Sequence, residues 1–498
     1  MPESRSRRLI SSLQAFLDTS LDDRLQNVTA TNTESRILDL FHSIVANVPA
    51  YRDFLHERGI DPGSIDSLVA FRSLPLTTKE NYLQRYPLAD LCRGGRLETC
   101  DFIAVSSGTT GKPTFWPRFL SDEFSIALRF EQVFRNSFQA DRLRTLAVVC
   151  FPMGTWVGGM FTASCCRHLS AKGYPITVIT PGNNKAEILR VVSELGENFE
   201  RVVLLGYPPF LKEAIDTGIV QGIDWRRYSI KLVFAGEVFS EEWRELVGER
   251  VGATNFPYDS ASLYGTADAG VLGNETPLSI CIRRFLARNP AIARELFGES
   301  RLPTLVQYDP GSRFFEEIDG TLLFSGNNGI PLLRYHIADT GGLISYSEML
   351  EFLQKYGFDP RSELPGERGI YPLPFVYVFG RSRFVLSYFG ANIYPENVSL
   401  GLEQLGIRDW VTGKFVMEIR EDADKNRRFC IAIELAFGVE ESEEKREAIA
   451  TSIQTWISRL NSEFANYVPP EYQRPRITLL PLGDPEYFPI GVKHRYSR

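Results

Sequence analysis

The segment VSSGTTGKPTFWPR, residues 105–118, brings hydroxyl groups, glycines and one lysine together in a short stretch. Its first part is an unbroken run of polar residues and glycines: Ser106, Ser107, Gly108, Thr109, Thr110, Gly111 and Lys112. Successive backbone amides in a tight turn form an anion-binding concavity, and the hydroxyl and ammonium groups add further donors. The segment therefore predicts a polyphosphate site, with a polar hairpin that binds no ligand as the open alternative.

A Walker A loop is a second interpretation of the same residues. That loop has the pattern G-x-x-x-x-G-K-[ST], but here Ser106 replaces the first glycine and Pro113 replaces the hydroxyl residue. Proline has no amide proton to offer a phosphate, and the following TFWPRF favours a strand over the helix on which a P-loop depends. We therefore expect a glycine-rich turn between two strands, and a P-loop kinase is a weaker hypothesis.

The elements around this turn follow from periodicity. Residues 1–100 are mainly helical in pattern, and DFIAVSS predicts the strand that enters the turn. Between 145 and 265, predicted strands such as RTLAVVCF and RVVLLG alternate with predicted helices, of which PPFLKEAIDTG is expected to end before Gly218. Such alternation is typical of a parallel sheet with helices on both faces, whose ligands bind at the carboxyl ends of the strands.

The pattern changes after residue 300, where short segments such as GTLLFSGNN and PLLRYHIADTGGL favour strands. A last segment begins near 383 and predicts a strand, a helix, a hairpin, one long helix EEKREAIATSIQTWISRLNSEF and a final strand. We therefore expect an α/β protein. Its large N-terminal domain, residues 1–382, has mostly parallel, helix-covered sheets and a β-rich part, and residues 383–498 form a small α+β domain.

Composition limits the partners. The 498 residues carry a net charge of −7, so no basic surface for nucleic acid or an anionic membrane is expected. No apolar run approaches the roughly 18 residues of a membrane span, and the first thirty residues lack the apolar core of a signal peptide. The seven cysteines have no metal-site spacing, which favours a reduced, cytoplasmic protein.

Several motifs together carry a resemblance to a known family. SSGTTGKPT resembles the phosphate loop of the adenylate-forming enzymes, which include acyl-CoA synthetases, peptide-synthetase adenylation domains and luciferase. Residues 48–87, just ahead of the loop, resemble the corresponding stretch of the phenylacetate-CoA ligase branch, and further motifs recur in the family's order. The resemblance implies ATP, Mg²⁺ and, as co-substrate, CoA.

Three motifs resemble the nucleotide site of that family. FAGEVFSEEW, residues 234–243, implies Gly236 and Glu237 beside adenine, and LLRYHIADTGGL, residues 332–343, implies that Asp339 binds the ribose hydroxyls. In the latter motif His336 and Ala338 depart from the family's common residues.

The third motif is SLYGTADAG, residues 262–270. It implies that Tyr264 stacks on adenine, with Gly265 beside it, that Thr266 faces the phosphates, and that Asp268 takes the place of the family's metal-binding Glu. Ser262 stands where the branch often has an Asp near the adenine amine. Ordinary turn glycines and loop carboxylates are the alternative interpretation of these three motifs.

The C-terminal motifs imply a mobile lid. VFGRSRFVLSYFGANIYPENV, residues 378–398, resembles the family hinge, with Arg381 reaching the nucleotide and Arg383 at the pivot. PIGVKHRYSR implies Lys493 as the adenylation lysine, one place further from its glycine than is usual. Solvated loop charges and a basic tail are the alternatives.

The function that the resemblance implies is ATP-dependent, AMP-forming ligation of a carboxylic acid to CoA, with Lys493, Thr266 and Asp268 as catalytic residues. CFPMGTWVGGMF, residues 150–161, would hold an aryl or arylalkanoic acid with Met153, Trp156 and Gly158, or would simply be core. Transfer to an amine or a carrier-protein thiol, and a non-catalytic nucleotide-binding homologue, are the alternatives. The expected protein is a monomer or homodimer.

Overall fold

The structure is a computed structural model that describes residues 5–30, 33–106, 114–299, 302–364, 366, 368–381, 386–436, 438–488 and 496–497. The chain divides into two compact units. The first contains Met1–Val105, Phe115–Gly206 and Ala214–Gly380, and the second contains Ser106–Thr114, Tyr207–Glu213 and Arg381–Arg498.

The described residues up to position 100 are mainly helical, as predicted. They form α1 (Arg5–Asp18), α2 (Leu21–Ala30), α3 (Thr33–Asn47), α4 (Pro49–His56), α5 (Leu68–Arg72), a π-helical turn (Lys79–Leu83) and α6 (Leu88–Leu91). In α3 the buried residues are Ile37, Phe41 and Ile44, the spacing of one helix face. Thr78 caps the π-helical turn by accepting the amide of Asn81, because its extended backbone leaves the hydroxyl free to bind there.

Two short strands, β1 (Phe102–Ser106) and β2 (Thr114–Arg118), pair with each other on either side of the predicted phosphate turn. The prediction that strands flank the turn is therefore confirmed. The turn residues themselves, 107–113, lie outside the described residues.

The larger unit is built on one sheet. Its strands are β3 (Thr145–Val149), β4 (Ile176–Ile179), β5 (Arg201–Gly206), β6 (Ile230–Ala235), β7 (Ser260–Thr266), β8 (Gly270–Asn274), β9 (Thr304–Gln307), β10 (Phe314–Ile318), β11 (Thr321–Gly326), β12 (Leu332–Ile344) and β13 (Phe375–Arg381). Within the described residues the order is β10-β11-β12-β13-β9-β8-β7-β6-β5-β3-β4. The pairs from β4 to β7 are parallel, whereas β8 and β9 continue the sheet antiparallel. The β-rich part thus joins the same sheet, with β10 at its edge and β12 third from that edge.

Helices connect and cover these strands. They are α7 (Leu120–Glu131), which runs into a π-helical turn (Gln132–Ser137), α8 (Val157–Ala171), α9 (Lys185–Leu195), α10 (Pro208–Val220), α11 (Glu241–Arg250), α12 (Phe256–Asp259), α13 (Pro277–Arg288), α14 (Pro290–Phe297) and α15 (Tyr346–Gln354). All five residues of β3 are buried, and α9 has a buried apolar face. A parallel strand that is covered on both sides needs apolar side chains on both faces, which explains the continuous apolar sequence of β3.

The expected end of one helix is wrong. α10 continues through Gly218 to Val220 instead of ending before the glycine. A Cβ at Gly218 would lie 2.6 Å from the Trp225 ring and 3.0 Å from Leu189, so this glycine permits close packing and does not terminate the helix.

The smaller unit contains the predicted α+β elements. They are β14 (Leu386–Tyr388), β15 (Ala391–Ile393), α16 (Pro395–Leu402), β16 (Val411–Glu421), β17 (Arg427–Leu435), α17 (Glu443–Leu460), α18 (Ser462–Tyr467) and β18 (Arg476–Leu480). The hairpin β16–β17 is antiparallel and β18 adds a parallel strand to it. The prediction of a single long helix is wrong, because the segment forms two helices, α17 and α18. Asn461 separates them: its backbone is extended, and its side chain caps α18 by accepting the Phe464 amide.

Candidate active site

The carboxyl ends of β6 and β7 carry the two motifs predicted to surround adenine. Gly236 directly follows β6 with a φ of +88°, a conformation in which a side chain would be strained. Glu237 is buried next to it, and Tyr264 lies in the buried part of β7. The β7–β8 register shifts between Tyr264 and Gly265, which places a bulge just before Thr266.

Two tyrosine–carboxylate pairs cross between β7 and β12. The Tyr264 hydroxyl, on β7, donates to Asp339 Oδ2 of β12 at 2.6 Å. In the opposite sense, the Tyr335 hydroxyl, on β12, donates to Asp268 Oδ2 after β7 at 2.6 Å. The motifs that the sequence assigns to ribose and metal binding therefore meet in one place, although more than sixty residues of chain separate them.

The side-chain direction along β12 explains which of its residues belong to this place. Tyr335, Ile337 and Asp339 are buried, whereas His336 and Ala338 between them are partly exposed. His336 Nε2 lies 3.2 Å from Thr321 Oγ1 on the neighbouring strand β11. The departure from the family pattern at His336 therefore lies at a partly exposed position that contacts β11, whereas Asp339 is buried.

Thr266 and Asp268 lie on a tight turn between β7 and β8. The Thr266 hydroxyl accepts the Ala269 amide at 3.2 Å, which closes the turn from within. Two buried arginines bind its main-chain carbonyls from outside. Arg118 donates to the oxygens of Ala267 and Asp268, and Arg313 donates to the oxygen of Ala269 at 3.3 Å.

These two guanidinium groups have an unusual environment. Every hydrogen-bond acceptor of Arg118 and Arg313 among the described residues is a main-chain carbonyl, and the Nε atom of each is buried with no acceptor there. Burial lowers the pKa of Arg118, and it lowers the pKa of Arg313 to about 10. Their positive charge lies directly beneath the turn of Asp268, where anionic groups of a ligand would be attracted.

A second pair of buried arginines lies behind β7 and is fully paired. Arg244 binds Glu275 at 2.6 Å and Glu241 at 3.0 Å, and Arg283 also binds Glu241. Glu275 Oε2 in turn accepts the amide of Ser262 at 2.8 Å. Ser262, predicted near the adenine amine, therefore has its backbone fixed by a neutral ion-pair network.

The acidic side chains of the site fit a magnesium ion that is bound by one carboxylate together with the phosphates of a nucleotide. Within the described residues no group of three or more His, Cys, Asp or Glu side chains could hold a metal. Magnesium in nucleotide sites is, however, often bound through one or two carboxylates and the substrate's phosphates. Asp268 fits that mode, because the carbonyls around it bind arginines and its carboxylate is left as the acidic ligand of the turn.

The segment predicted to bind the acid lies beside β1. Val105 donates its amide to Thr155 at 2.9 Å and forms a bridge with Trp156. Met153, Trp156 and Gly158 are partly exposed, and Gly158 lies in the first turn of α8. Their role as an acid pocket stays a prediction.

Several predicted residues lie outside the described residues. They are Ser107, Gly108, Thr109, Thr110, Gly111, Lys112, Arg383 and Lys493. Ser106 is the last residue of β1 and Arg381 is the last residue of β13, but the Arg381 side chain is also outside the described part. Their assigned roles remain predictions.

Four buried residues of the site were missed by the sequence reasoning: Arg118, Arg313, Glu275 and Tyr335. Tyr335 had a usable signal, because it precedes Asp339 by four residues in a strand-like segment and so shares its face. The others had none, since their partners are distant in sequence.

Among the described residues, no helix has both the length and the apolar character needed to cross a membrane. None of the seven cysteines, which all lie in the described part of the chain, forms a disulfide, and six of them are buried.

The chain matches no protein-family model. It is 23% identical over 413 residues to a phenylacetate-coenzyme A ligase from Aromatoleum evansii, covering 82% of each chain. It is 25% identical over 345 residues to a phenylacetate-coenzyme A ligase from Escherichia coli (strain K12), covering 66% of this chain and 69% of the relative.

Among solved structures, the fold is similar to that of 2-hydroxyisobutyryl-CoA ligase in complex with 2-HIB-AMP and CoA. The TM-score is 0.65 at 14% identity, and the match covers 97% of this chain and 91% of the other. The predicted α/β fold class is therefore confirmed.

Proposed function

Because the chain is similar to the adenylate-forming enzymes, and within them to the phenylacetate-CoA ligase branch, we propose that it is an ATP-dependent ligase that joins a carboxylic acid to CoA. The resemblance predicted from the motifs, and the enzyme class of an AMP-forming acid–thiol ligase, agree with the named relatives. The acid, the acceptor and the role of each residue are our proposal.

The observation that carries the proposal is the crossed tyrosine–carboxylate arrangement. In it, the residue that the resemblance assigns to adenine (Tyr264) donates to the one assigned to ribose (Asp339). The residue assigned to metal (Asp268) accepts the hydroxyl of Tyr335, which lies on the same strand as Asp339. These residues lie at the carboxyl end of a parallel strand, where α/β sheets bind nucleotides. A set of unrelated turn and loop residues would have no reason to converge there.

The proposed reaction joins two anions. An oxygen of the substrate carboxylate forms a bond to the α-phosphorus of ATP, the bond to the bridging oxygen breaks, and pyrophosphate leaves. Positive charge must lower the repulsion in this step, and we assign that role to Lys493, Lys112 and the amides of residues 106–111. Arg118 and Arg313 supply further positive charge beneath Thr266 and Asp268.

Magnesium, held by Asp268, would neutralise phosphate charge when bound. Asp339 would accept the ribose hydroxyl groups, since a carboxylate offers several acceptor sites. Arg381 would contact the ribose or phosphate, and Gly236, Glu237, Ser262 and Gly265 would line the adenine.

In the second step the thiol sulfur of CoA attacks the acyl carbonyl, and AMP leaves with the electron pair of the broken anhydride bond. We propose that residues 383–498 form a mobile lid on the domain of residues 1–382 and turn about Arg383 between the two steps. The compact α+β fold of the elements from β14 to β18 supports treating that segment as a separate body.

The proposed acid is aryl or arylalkanoic, bound beside Met153, Trp156 and Gly158. We further propose a cytoplasmic enzyme, which the mostly buried cysteines without disulfides support, acting as a monomer or homodimer without nucleic acid or membrane partners.

ATP–pyrophosphate exchange across a panel of carboxylic acids tests the first step. We expect exchange that depends on an aryl or arylalkanoic acid and on magnesium. An absence of exchange over the whole panel together with tight ATP binding would instead indicate a non-catalytic nucleotide-binding homologue.

Pyrophosphate release with and without CoA tests the acceptor, with hydroxylamine as a trap for the adenylate. We expect CoA to accelerate turnover and an acyl-CoA to accumulate. Release that ignores CoA would favour an amine or a carrier-protein thiol as the acceptor.

A further inference from the structure

We propose that Tyr335 is a positioning residue, which holds the Asp268 carboxylate in the orientation that a divalent cation shares with the nucleotide phosphates. The inference rests on the proposed function, because it takes Asp268 as the acidic ligand beside bound ATP. Tyr335 itself contacts neither nucleotide nor cation in this proposal. It acts through the carboxylate alone.

The backbone that carries Asp268 is already fixed. Arg118 binds the carbonyl oxygens of Ala267 and Asp268, and Arg313 binds that of Ala269. Thr266 closes the same turn through the Ala269 amide at 3.2 Å. What is left free is the rotation of the Asp268 side chain about its own two torsions.

Tyr335 restricts that rotation. Its hydroxyl donates to Asp268 Oδ2 at 2.6 Å, a short hydrogen bond within the normal range for two oxygens. Among the described residues, no second donor reaches the Asp268 carboxylate, so Oδ1 is available to a cation when Oδ2 is held. The hydrogen bond to Oδ2 thus fixes the orientation of the Asp268 carboxylate, and Oδ1 would bind the cation.

Tyr335 is rigid enough for this task. It is 3% exposed, and its ring packs edge-on against Phe324, with centroids 5.8 Å apart and planes at 78°. Its backbone is paired with Phe324 of β11 and bridged to Thr77. Because burial, the Phe324 ring and the backbone pairing already restrict Tyr335, it loses little further conformational entropy when its hydroxyl donates a hydrogen bond.

The shorter acid makes the constraint more important. An aspartate has one methylene fewer than the glutamate that is usual at this place, and therefore less reach toward a ligand. A short side chain that points slightly away cannot extend to compensate, whereas a correctly aimed one can still bind. Tyr335 would thus offset the reach lost at Asp268.

ATP binding measured by calorimetry, in EDTA and in excess magnesium, tests the proposal on Tyr335→Phe, which removes only the hydroxyl. We expect the affinity in EDTA to stay within about twofold of the parent protein. The gain in affinity on adding magnesium should fall about tenfold, within the range for a hydrogen bond to a charged group.

Tyr308→Phe is the matched control, because it makes the same chemical change at a buried tyrosine of the same hydrophobic cluster. It should leave both affinities unchanged. In an Asp268→Ala background, Tyr335→Phe should cause no further loss of the magnesium gain, since its only route of action is gone. Thermal unfolding checks that each variant is folded.

An unchanged or larger magnesium gain in Tyr335→Phe would overturn the proposal. So would an equal loss of affinity in EDTA and in magnesium, or a full additional loss in the Asp268→Ala background, because each would mean that Tyr335 acts on the nucleotide or the fold. These binding results do not depend on turnover. A parent protein that binds Mg·ATP but exchanges no pyrophosphate would refute the proposed function and still allow this test.

Discussion

Two pairs of buried arginines lie beside β7, and only one of them is neutralised by carboxylates. Arg244 and Arg283 bind the carboxylates of Glu241 and Glu275, so their cluster has no net charge. Arg118 and Arg313 bind carbonyl oxygens, which carry only partial charge. The same residue type therefore does two things: the first pair fixes a strand, and the second leaves positive charge under a ligand site.

Nearby carboxylates do not remove this difference. Asp122 lies close to Arg118 and Arg313, but it is bound by Arg93 at 2.7 Å. Asp309 contacts Arg24 at 3.5 Å and Arg129 at 3.9 Å. Acids beside the second pair are thus shared with further arginines, and the excess of positive charge persists.

The largest effect is expected from breaking the neutral cluster. Glu275→Gln leaves Arg244 without one of its two carboxylates and weakens the bond to the Ser262 amide. Breaking a buried ion pair from one side costs about 3–5 kcal/mol, so the free energy of unfolding should fall by that amount. Denaturant midpoints measure it.

The control is Glu245→Gln, whose carboxylate is 41% exposed and binds Arg284. It should cost at most about 1 kcal/mol, as surface pairs do. Equal losses in the two variants would mean that the buried cluster has no special role.

The next effect separates stability from activity at the second pair. Arg118→Met leaves two carbonyls without a donor but also removes a buried, unpaired charge, so the net loss of stability should be only about 1 kcal/mol. ATP–pyrophosphate exchange should fall about tenfold, because the turn of Asp268 is released and positive charge is lost.

Arg118→Lys retains the charge and should recover part of the exchange activity. The opposite pattern, a large loss of stability with normal exchange, would show that Arg118 serves the fold in the same way as Arg244.

Acid should act on the two clusters with opposite sign. Burial opposes ionisation of Glu241, but Arg244 and Arg283 outweigh it and lower its pKa below the ordinary 4.5. The unfolded chain then takes up the proton first, so this cluster loses stability as the pH falls from about 4.5. Burial dominates at Asp122 and raises its pKa above 3.8, so here the folded state takes up the proton first.

Denaturant midpoints between neutral pH and about pH 3 test this pair of signs, because the loss at Glu241 continues below about pH 4.5. Glu241→Gln should make the loss of stability in acid shallower, and Asp122→Asn should make it steeper. Slopes that change in the same direction in both variants would contradict the assignment.

The smallest change in stability is expected at Ala338, where the backbone conformation, and not a charge, is altered. Ala338, just before Asp339, has a φ of +67°. A left-handed conformation costs a residue with a Cβ atom about 1–2 kcal/mol, and glycine would remove this cost. Glycine is more flexible in the unfolded chain, however, and this opposes folding by about 0.5–1 kcal/mol. Ala338→Gly should therefore stabilise the protein by about 0.5 kcal/mol, measured by thermal unfolding, with unchanged ATP affinity. Destabilisation would show that the alanine methyl group contributes to packing.

Features that depend on residues close together in the sequence could be predicted, whereas features that depend on contacts between distant residues could not. Strands β3 to β7 depend on local pattern, and the sequence predicts them. The residues Tyr264, Asp268 and Asp339 come from short motifs that contain their own turn geometry, and the structure brings them together. Arg118 could not be assigned, because its acceptors lie about 150 residues away in a turn whose position depends on the whole sheet.

Two local errors have the same origin. Gly218 reads as a helix end, but tertiary packing against Trp225 decides its role. Asn461 lies inside a continuous helical pattern, yet its side chain also binds the Asn392 carbonyl at 2.7 Å, which favours a break. In both places a contact made outside the helix itself overrides the local preference.

The placement of Tyr335 and Asp339 on the single strand β12 has one further consequence. A one-residue insertion or deletion that shifted the register of β12 against β11 would displace both side chains at once, because both follow the irregularity in that register between Leu332 and Tyr335. The sugar end and the phosphate end of the site would then be lost together, even though each belongs to a different motif. Changes of chain length in β12 should therefore be all-or-none for nucleotide binding, whereas single substitutions along it should be graded.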